Sequence, residues 1–174
     1  MVKATSLGCA KNFVDTEVAT ASFLCEGFGL TDSDSDAEIQ FINTCAFLEE
    51  ARTEAAETIR AVRRWKMRAP EKRRVIVAGC FVEWAEQSEL AEFPWVDAWL
   101  RIDEIADAGR VARKLLEGGK FPAPGGRKKT RPRWIYSHET PRVQLTPAHY
   151  AYLKIADGCD NCCTYCVCAQ RAPW

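Results

Sequence analysis

Four times between Val2 and Leu116, a short apolar run gives way to a stretch in which apolar residues recur every three or four positions. That change of period marks a strand followed by a helix. Val2 to Leu7 reads as the first strand. Val14, Val18, Ala21, Cys25 and Phe28 then share one face of a helix, which Asn12 is placed to cap and Gly27 and Gly29 to end. After the polar turn Thr31 to Asp36 come a strand at Ile39 to Ile42 and a helix from Glu49 to Met67 whose Ala51, Ala55, Ile59 and Val62 face inward. The pattern repeats as strand Val75 to Ala78, helix Val82 to Phe93, strand Val96 to Leu100, and a helix capped by Asp103 that runs to Leu116. Strands joined by helices are parallel, because a parallel pair needs a crossover and crossovers are usually helical. The expected fold class is α/β, an N-terminal parallel sheet flanked by helices.

The sixteen residues from Gly118 to Arg133 contain four Gly, three Pro and six basic residues, the composition of a linker. Beyond it, Ala151 to Ile155 reads as a strand entering a cysteine-rich loop. The expected organisation is a sheet domain over 1–117, a linker over 118–133 and the start of a second domain over 134–174. A run of 174 residues suits one ordinary domain plus such a tail.

Charge excludes some function classes. The 24 basic and 24 acidic residues cancel, so no global field points to nucleic acid or a membrane. The balance is uneven along the chain, with 11 acids and 4 bases in residues 1–60 and 13 acids and 20 bases in the rest. The basic run Arg127, Lys128, Lys129, Arg131, Arg133 and the acidic stretch Asp32 to Glu38 read as solvated surface, which leaves direct nucleic-acid binding open. The first thirty residues do not resemble a secretory signal, and the longest nearly apolar run, Val75 to Val82, is far short of the roughly 18 residues of a membrane span. The expectation is a cytoplasmic protein without membrane contact.

Nine cysteines in a reducing compartment point to metal or thiol chemistry before disulfides. Cys9, Cys45 and Cys80 each lie just past a strand and before a helix, and in a parallel sheet those positions fall on one edge, where ligands usually bind. Three thiolates meeting there suit zinc or an iron–sulfur cluster. The competing reading is that a lone cysteine is a small buried hydrophobe, and this is the one adopted for Cys25. Trp84, Trp95 and Trp99 are assigned to the core, and His138 and His149 to no chemistry.

In Gly158-Cys159-Asp160-Asn161-Cys162-Cys163-Thr164-Tyr165-Cys166, thiols follow one another at spacings of three and two intervening residues through Cys159, Cys163 and Cys166. Three thiolates on one loop hold three irons of a [4Fe–4S] cubane and leave the fourth iron open, a position the amino acid end of S-adenosylmethionine can chelate. A four-thiolate zinc site that includes Cys162 is the alternative, although zinc ribbons separate their cysteine pairs more widely. Cys162 and Cys168 are otherwise spare.

The motifs Ser6-Leu7-Gly8-Cys9-Ala10-Lys11-Asn12, Val14-Asp15-Thr16-Glu17, Asn43-Thr44-Cys45-Ala46-Phe47, Gly79-Cys80 and Ala151 through Cys159 together resemble the methylthiotransferases of the radical S-adenosylmethionine superfamily. Within them the match is better to the branch acting on a ribosomal protein than to the branch acting on transfer RNA adenosine. The resemblance implies that Cys9, Cys45 and Cys80 hold an auxiliary [4Fe–4S] cluster and that Cys159, Cys163 and Cys166 hold the one that cleaves S-adenosylmethionine. It further implies methylthiolation of an aspartate β-carbon in small-subunit ribosomal protein twelve, with no side chain assigned a catalytic role. Two departures stand out. The residues after Cys166 are Val167-Cys168-Ala169-Gln170, where the family has an isoleucine–proline pair, and only the first strand and loop of a (β/α) barrel of about 250 residues are present. The chain is therefore expected to be a fragment that keeps the auxiliary domain, with the radical S-adenosylmethionine barrel truncated at its start. A non-catalytic iron–sulfur or zinc-binding module is the competing class.

Overall fold

A computed structural model describes residues 1–121, residues 136–156 and Thr164. Its elements, in chain order, are β1 (Val2–Ser6), α1 (Ala10–Cys25), β2 (Ile39–Thr44), α2 (Glu49–Met67), β3 (Arg74–Gly79), α3 (Cys80–Trp84), α4 (Gln87–Leu90), β4 (Ala98–Leu100), a 3₁₀ helix (Ile102–Asp107) and α5 (Ala108–Leu116). The strands form one parallel sheet in the order β1-β2-β3-β4, with Val2 beside Ile39, Ile39 beside Arg74 and Ile76 beside Ala98. This is the α/β architecture the alternation implied.

The period of two along each strand divides the core between the two faces of the sheet. Ile39, Phe41, Ile76, Ala78, Ala98 and Leu100 meet Ala19 and Phe23 of α1 and Val111, Ala112 and Leu115 of α5. Ile42, Val75, Val77 and Trp99 face the other way, onto Ala55, Ile59, Val62 and Trp65 of α2 and Phe81, Leu90 and Phe93 beyond β3. Strands covered on both sides need no polar alternation, which is why β3 reads as a nearly continuous apolar run from Val75 to Ala78. Trp84 and Trp99 are buried, and Trp95 packs against that core with its indole N–H donating to the Ile59 carbonyl at 3.1 Å.

Several expectations change. The helix foreseen over Val82 to Phe93 is two short helices, because Ala85 and Glu86 are extended and Glu86 and Glu89 form a capping box that restarts the turn. Both pieces keep their apolar residues on the core, so the spacing looked continuous. Asp103 is not the cap residue: it lies inside the 3₁₀ helix, which Arg101 precedes, and Asp107 stands at the start of α5. Asn12 is the third residue of α1, and Cys9 occupies the cap. Cys25 is exposed, being the last residue of α1 where the helix leaves the sheet. No strand forms over 151–156, where Leu153 and Ile155 are more than four-fifths exposed and, among the described residues, no neighbouring strand pairs with them. Most of the linker lies outside the described residues. Among the described residues, no helix is long and apolar enough to cross a membrane.

Candidate metal centre

The C-terminal ends of β1, β2 and β3 deliver Cys9, Cys45 and Cys80 to one edge of the sheet. Two glycines let the three loops close on each other. Gly8 has φ +85°, and a Cβ there would stand 2.3 Å from the Cβ of Cys45. Gly79 has φ +96°, and a Cβ there would stand 2.4 Å from Asn43 Oδ1 and 2.5 Å from the Thr44 carbonyl oxygen. In both places a side chain is excluded twice, by the left-handed backbone and by the neighbouring loop. Each glycine immediately precedes a cysteine.

Beneath the thiols lies a polar network. Asn12 Nδ2 donates to the carbonyls of Leu7 at 3.0 Å and Thr44 at 2.7 Å, and its Oδ1 accepts from Cys80 Sγ at 3.7 Å. Asn43 Nδ2 donates to the Asn12 carbonyl at 2.7 Å and to Thr16 Oγ1 at 3.1 Å, and Thr16 Oγ1 donates to Ser6 Oγ at 2.9 Å. Asn43 Oδ1 is buried without a hydrogen-bond partner and lies where a Cβ at residue 79 would crowd it.

The thiols are electrostatically unequal. Cys9 is lowered to about 5, chiefly because the Cys45 thiol donates to it, with help from the backbone N–H groups of Asn12 and Lys11 at the start of α1 and against the cost of burial. Cys45 is pushed well above the ordinary thiol range by that same bond to Cys9, then by burial, and then by the nearby charges of Cys80 and Cys9. The pair therefore holds one proton between two sulfurs, with Cys9 the thiolate. Cys45 is buried, Cys80 half-buried and Cys9 open to solvent.

A further constellation escaped sequence reasoning. Asp15 and Glu17 of α1 are fully buried acids that face the segment 141–154. Lys154 Nζ meets Asp15 Oδ1 at 2.7 Å, with both side chains only 3% exposed. Arg142 Nε donates to Glu17 Oε2, and the Leu145 amide to Glu17 Oε1, each at 2.7 Å. Tyr152 packs edge-on against Phe13. A strap is thus fastened across the helix that Cys9 caps. Its only sequence signal was a pair of acids at i and i+2 on a helix that is otherwise largely buried.

The donor set suits an iron–sulfur cluster: three thiols from three adjacent loops, one already ionised, in a partly water-shielded setting. Among the described residues, no three Cys, His, Asp or Glu side chains are gathered tightly enough for a single metal ion. A cubane binds each thiolate through a different iron and so asks for wider separation than one ion does. Cys159, Cys163 and Cys166, with Cys162 and Cys168, lie outside the described residues.

The profile described as Uncharacterized protein family UPF0004 matches residues 1–101, which include all four strands and all three edge cysteines. This chain belongs to that family. Similar proteins include ribosomal protein uS12 methylthiotransferase RimO of Heliobacterium modesticaldum, 40% identical over 162 residues, which are 93% of this chain and 34% of the relative. The proteins of the same name from Pelotomaculum thermopropionicum and Caldicellulosiruptor saccharolyticus are 36% and 38% identical, over 97% and 92% of this chain and 37% and 36% of theirs. The chain therefore spans about a third of the length of these relatives.

Proposed function

We propose that this chain serves the methylthiolation of an aspartate β-carbon in ribosomal protein uS12, in the cytoplasm, as the auxiliary-cluster part of a radical S-adenosylmethionine enzyme. The observation that carries the reading is the delivery of Cys9, Cys45 and Cys80 to one sheet edge by three adjacent strand-to-helix loops. The names of the relatives supply the substrate class. Residues 1–117 form the auxiliary-cluster domain in this reading, 118–133 the linker, and 134–174 the entry to the domain that binds S-adenosylmethionine.

Cys9, Cys45 and Cys80 would hold one [4Fe–4S] cluster and Cys159, Cys163 and Cys166 a second. When bound, these groups and S-adenosylmethionine supply sulfur transfer and one-electron chemistry. The chain's own part is to prepare ligands. Cys9, ionised at neutral pH and exposed, is the first thiolate available to an incoming metal, and Cys45 releases its shared proton on ligation, as thiol ligands must. The amides at the start of α1 hold negative charge on Cys9. Burial of Cys45 limits water at the sulfurs, and the strap over α1 fixes the segment that leads toward Cys159.

Anaerobic reconstitution with iron and sulfide tests the assignment. The full chain is expected to take up about eight irons, and about four once Cys9, Cys45 and Cys80 are all changed to Ala. Stoichiometric zinc with no iron would instead make this a zinc-binding module and overturn the enzyme reading.

A further inference from the structure

We propose that Asn12 is a positioning residue for the cysteine edge: its single carboxamide ties together the loops after β1, β2 and β3, and so sets the spacing of Cys9, Cys45 and Cys80 before any metal arrives. The inference rests on the reading of those cysteines as ligands given above.

Asn12 is 1% exposed, and its Nδ2 serves two of the cysteine loops while its Oδ1 serves the third. The Leu7 carbonyl lies two residues before Cys9, the Thr44 carbonyl directly before Cys45, and the third partner is the Cys80 thiol itself. Two carbonyl partners require two N–H donors, which fixes the orientation of the amide and leaves Oδ1 toward Cys80. Asp supplies no donor, Ser and Thr supply one, and Gln adds a methylene that a site so enclosed has no room for.

Capping does not account for the residue. The cap of α1 is Cys9, and the Asn12 side chain reaches away from its own helix to residues 5, 32 and 68 positions distant. The hub is itself braced, since the Asn43 amide grips the Asn12 carbonyl at 2.7 Å and continues through Thr16 to Ser6. Three strands, three loops and one asparagine thus make a frame closed by the chain's own hydrogen bonds. Partners of this kind, one bond removed from the metal, typically change metal affinity by roughly 10- to 100-fold when replaced.

The test uses the full chain with Cys159, Cys162, Cys163, Cys166 and Cys168 changed to Ser, so that iron reports the sheet edge alone. Iron per chain, visible absorption and reduction potential are measured after anaerobic reconstitution, followed by a chelator challenge. The parent is expected to hold about four irons. Asn12→Asp and Asn12→Ala are expected to weaken retention by roughly 10- to 100-fold and to shift the potential of whatever cluster remains.

Ile105→Ala, in the core on the α5 side, is the control for lost stability. It is expected to melt at least as early as the Asn12 variants and yet keep the parent's iron and spectrum. If Asn12→Ala does not fold, Asn12→Ser takes its place and must fall between the parent and Asn12→Asp. Iron retention and potential unchanged in the Asn12 variants would overturn the proposal. So would an Ile105→Ala chain that loses iron equally. A parent that takes up no iron, while the separate cysteine-to-alanine series also shows none at this edge, sinks the ligand assignment and the positioning role with it.

Discussion

Cys9 and Cys45 share one proton, and that sharing has consequences that can be measured without metal. Cys9 falls to about 5 from the free thiol value of 9.0, so between those values the folded pair binds one proton while the unfolded pair binds two. Stability then rises with pH through that window. Above it the sign reverses, because Cys45 is held protonated in the fold while both thiols ionise in the unfolded chain. The metal-free chain is expected to gain melting temperature from pH 5 toward 9 relative to a Cys9→Ser variant, and to lose the advantage beyond; a flat difference would contradict the shared proton. Iodoacetamide labelling checks the same point. Cys9 is exposed and ionised, so its labelling rate should change little between pH 6 and 8, whereas a free thiol gains roughly tenfold per pH unit below its pKa. At the neighbouring turn, Gly8→Ala places a methyl 2.3 Å from Cys45 Cβ at φ +85°. It should cost about 1–3 kcal/mol in denaturant unfolding and weaken iron retention, because the two cysteine loops must part.

The edge cysteines were legible for a physical reason. Position after a strand is readable from periodicity, and parallel topology turns three such positions into one place. Asn12 was not legible as a hub, since an asparagine near a helix start has a local explanation in capping, and its partners are set only when β2 and β3 line up beside β1.

At the scale of elements, the same contrast recurs. Helix α2 could be read residue for residue, from Glu49 to Met67, because Ala55, Ile59, Val62 and Trp65 keep helical spacing along its buried face. The break between α3 and α4 was hidden, because two extended residues, Ala85 and Glu86, leave the apolar spacing intact. The strap was hidden for another reason. Asp15 and Lys154 are 139 residues apart, and nothing local distinguishes a buried acid from a solvated one. Yet the strap carries a sharp expectation. Removing one partner of a buried ion pair leaves a charge without compensation and typically costs about 3–5 kcal/mol. Asp15→Ala should therefore release the segment 141–154, seen as rapid tryptic cleavage at Arg142 and Lys154, while the amides of β2 and β3 keep their protection from hydrogen exchange. The double variant Asp15→Ala with Lys154→Met should recover part of the loss. Cleavage no faster than in the parent would mean that the strap is held by its aromatic contacts, Phe13 with Tyr152 and Tyr150 with Tyr152, and not by the ion pairs.

For the whole molecule, the question is how much of the proposed reaction these residues carry. The sheet edge brings ligands together, yet the cavities along α2, between α1 and the 3₁₀ helix, and beside β4 are lined by none of its three cysteines. Apolar surface remains open on the strap: Leu153 and Ile155 are 82% and 84% exposed, and Tyr150 and Tyr152 are about two-fifths exposed. Side chains of this kind in a row mark a surface that another element covers. The relatives named for uS12 methylthiotransfer are about three times as long as the matched region. In the proposed reading the edge cluster draws its ligands from residues 1–117 alone, so a chain with Cys159, Cys163 and Cys166 changed to Ser and loaded with iron and sulfide is expected to keep about four irons, read by iron analysis and visible absorption. Loss of that iron would show that the two sets of cysteines are not independent, and the division of labour between sheet edge and cysteine loop would have to be redrawn.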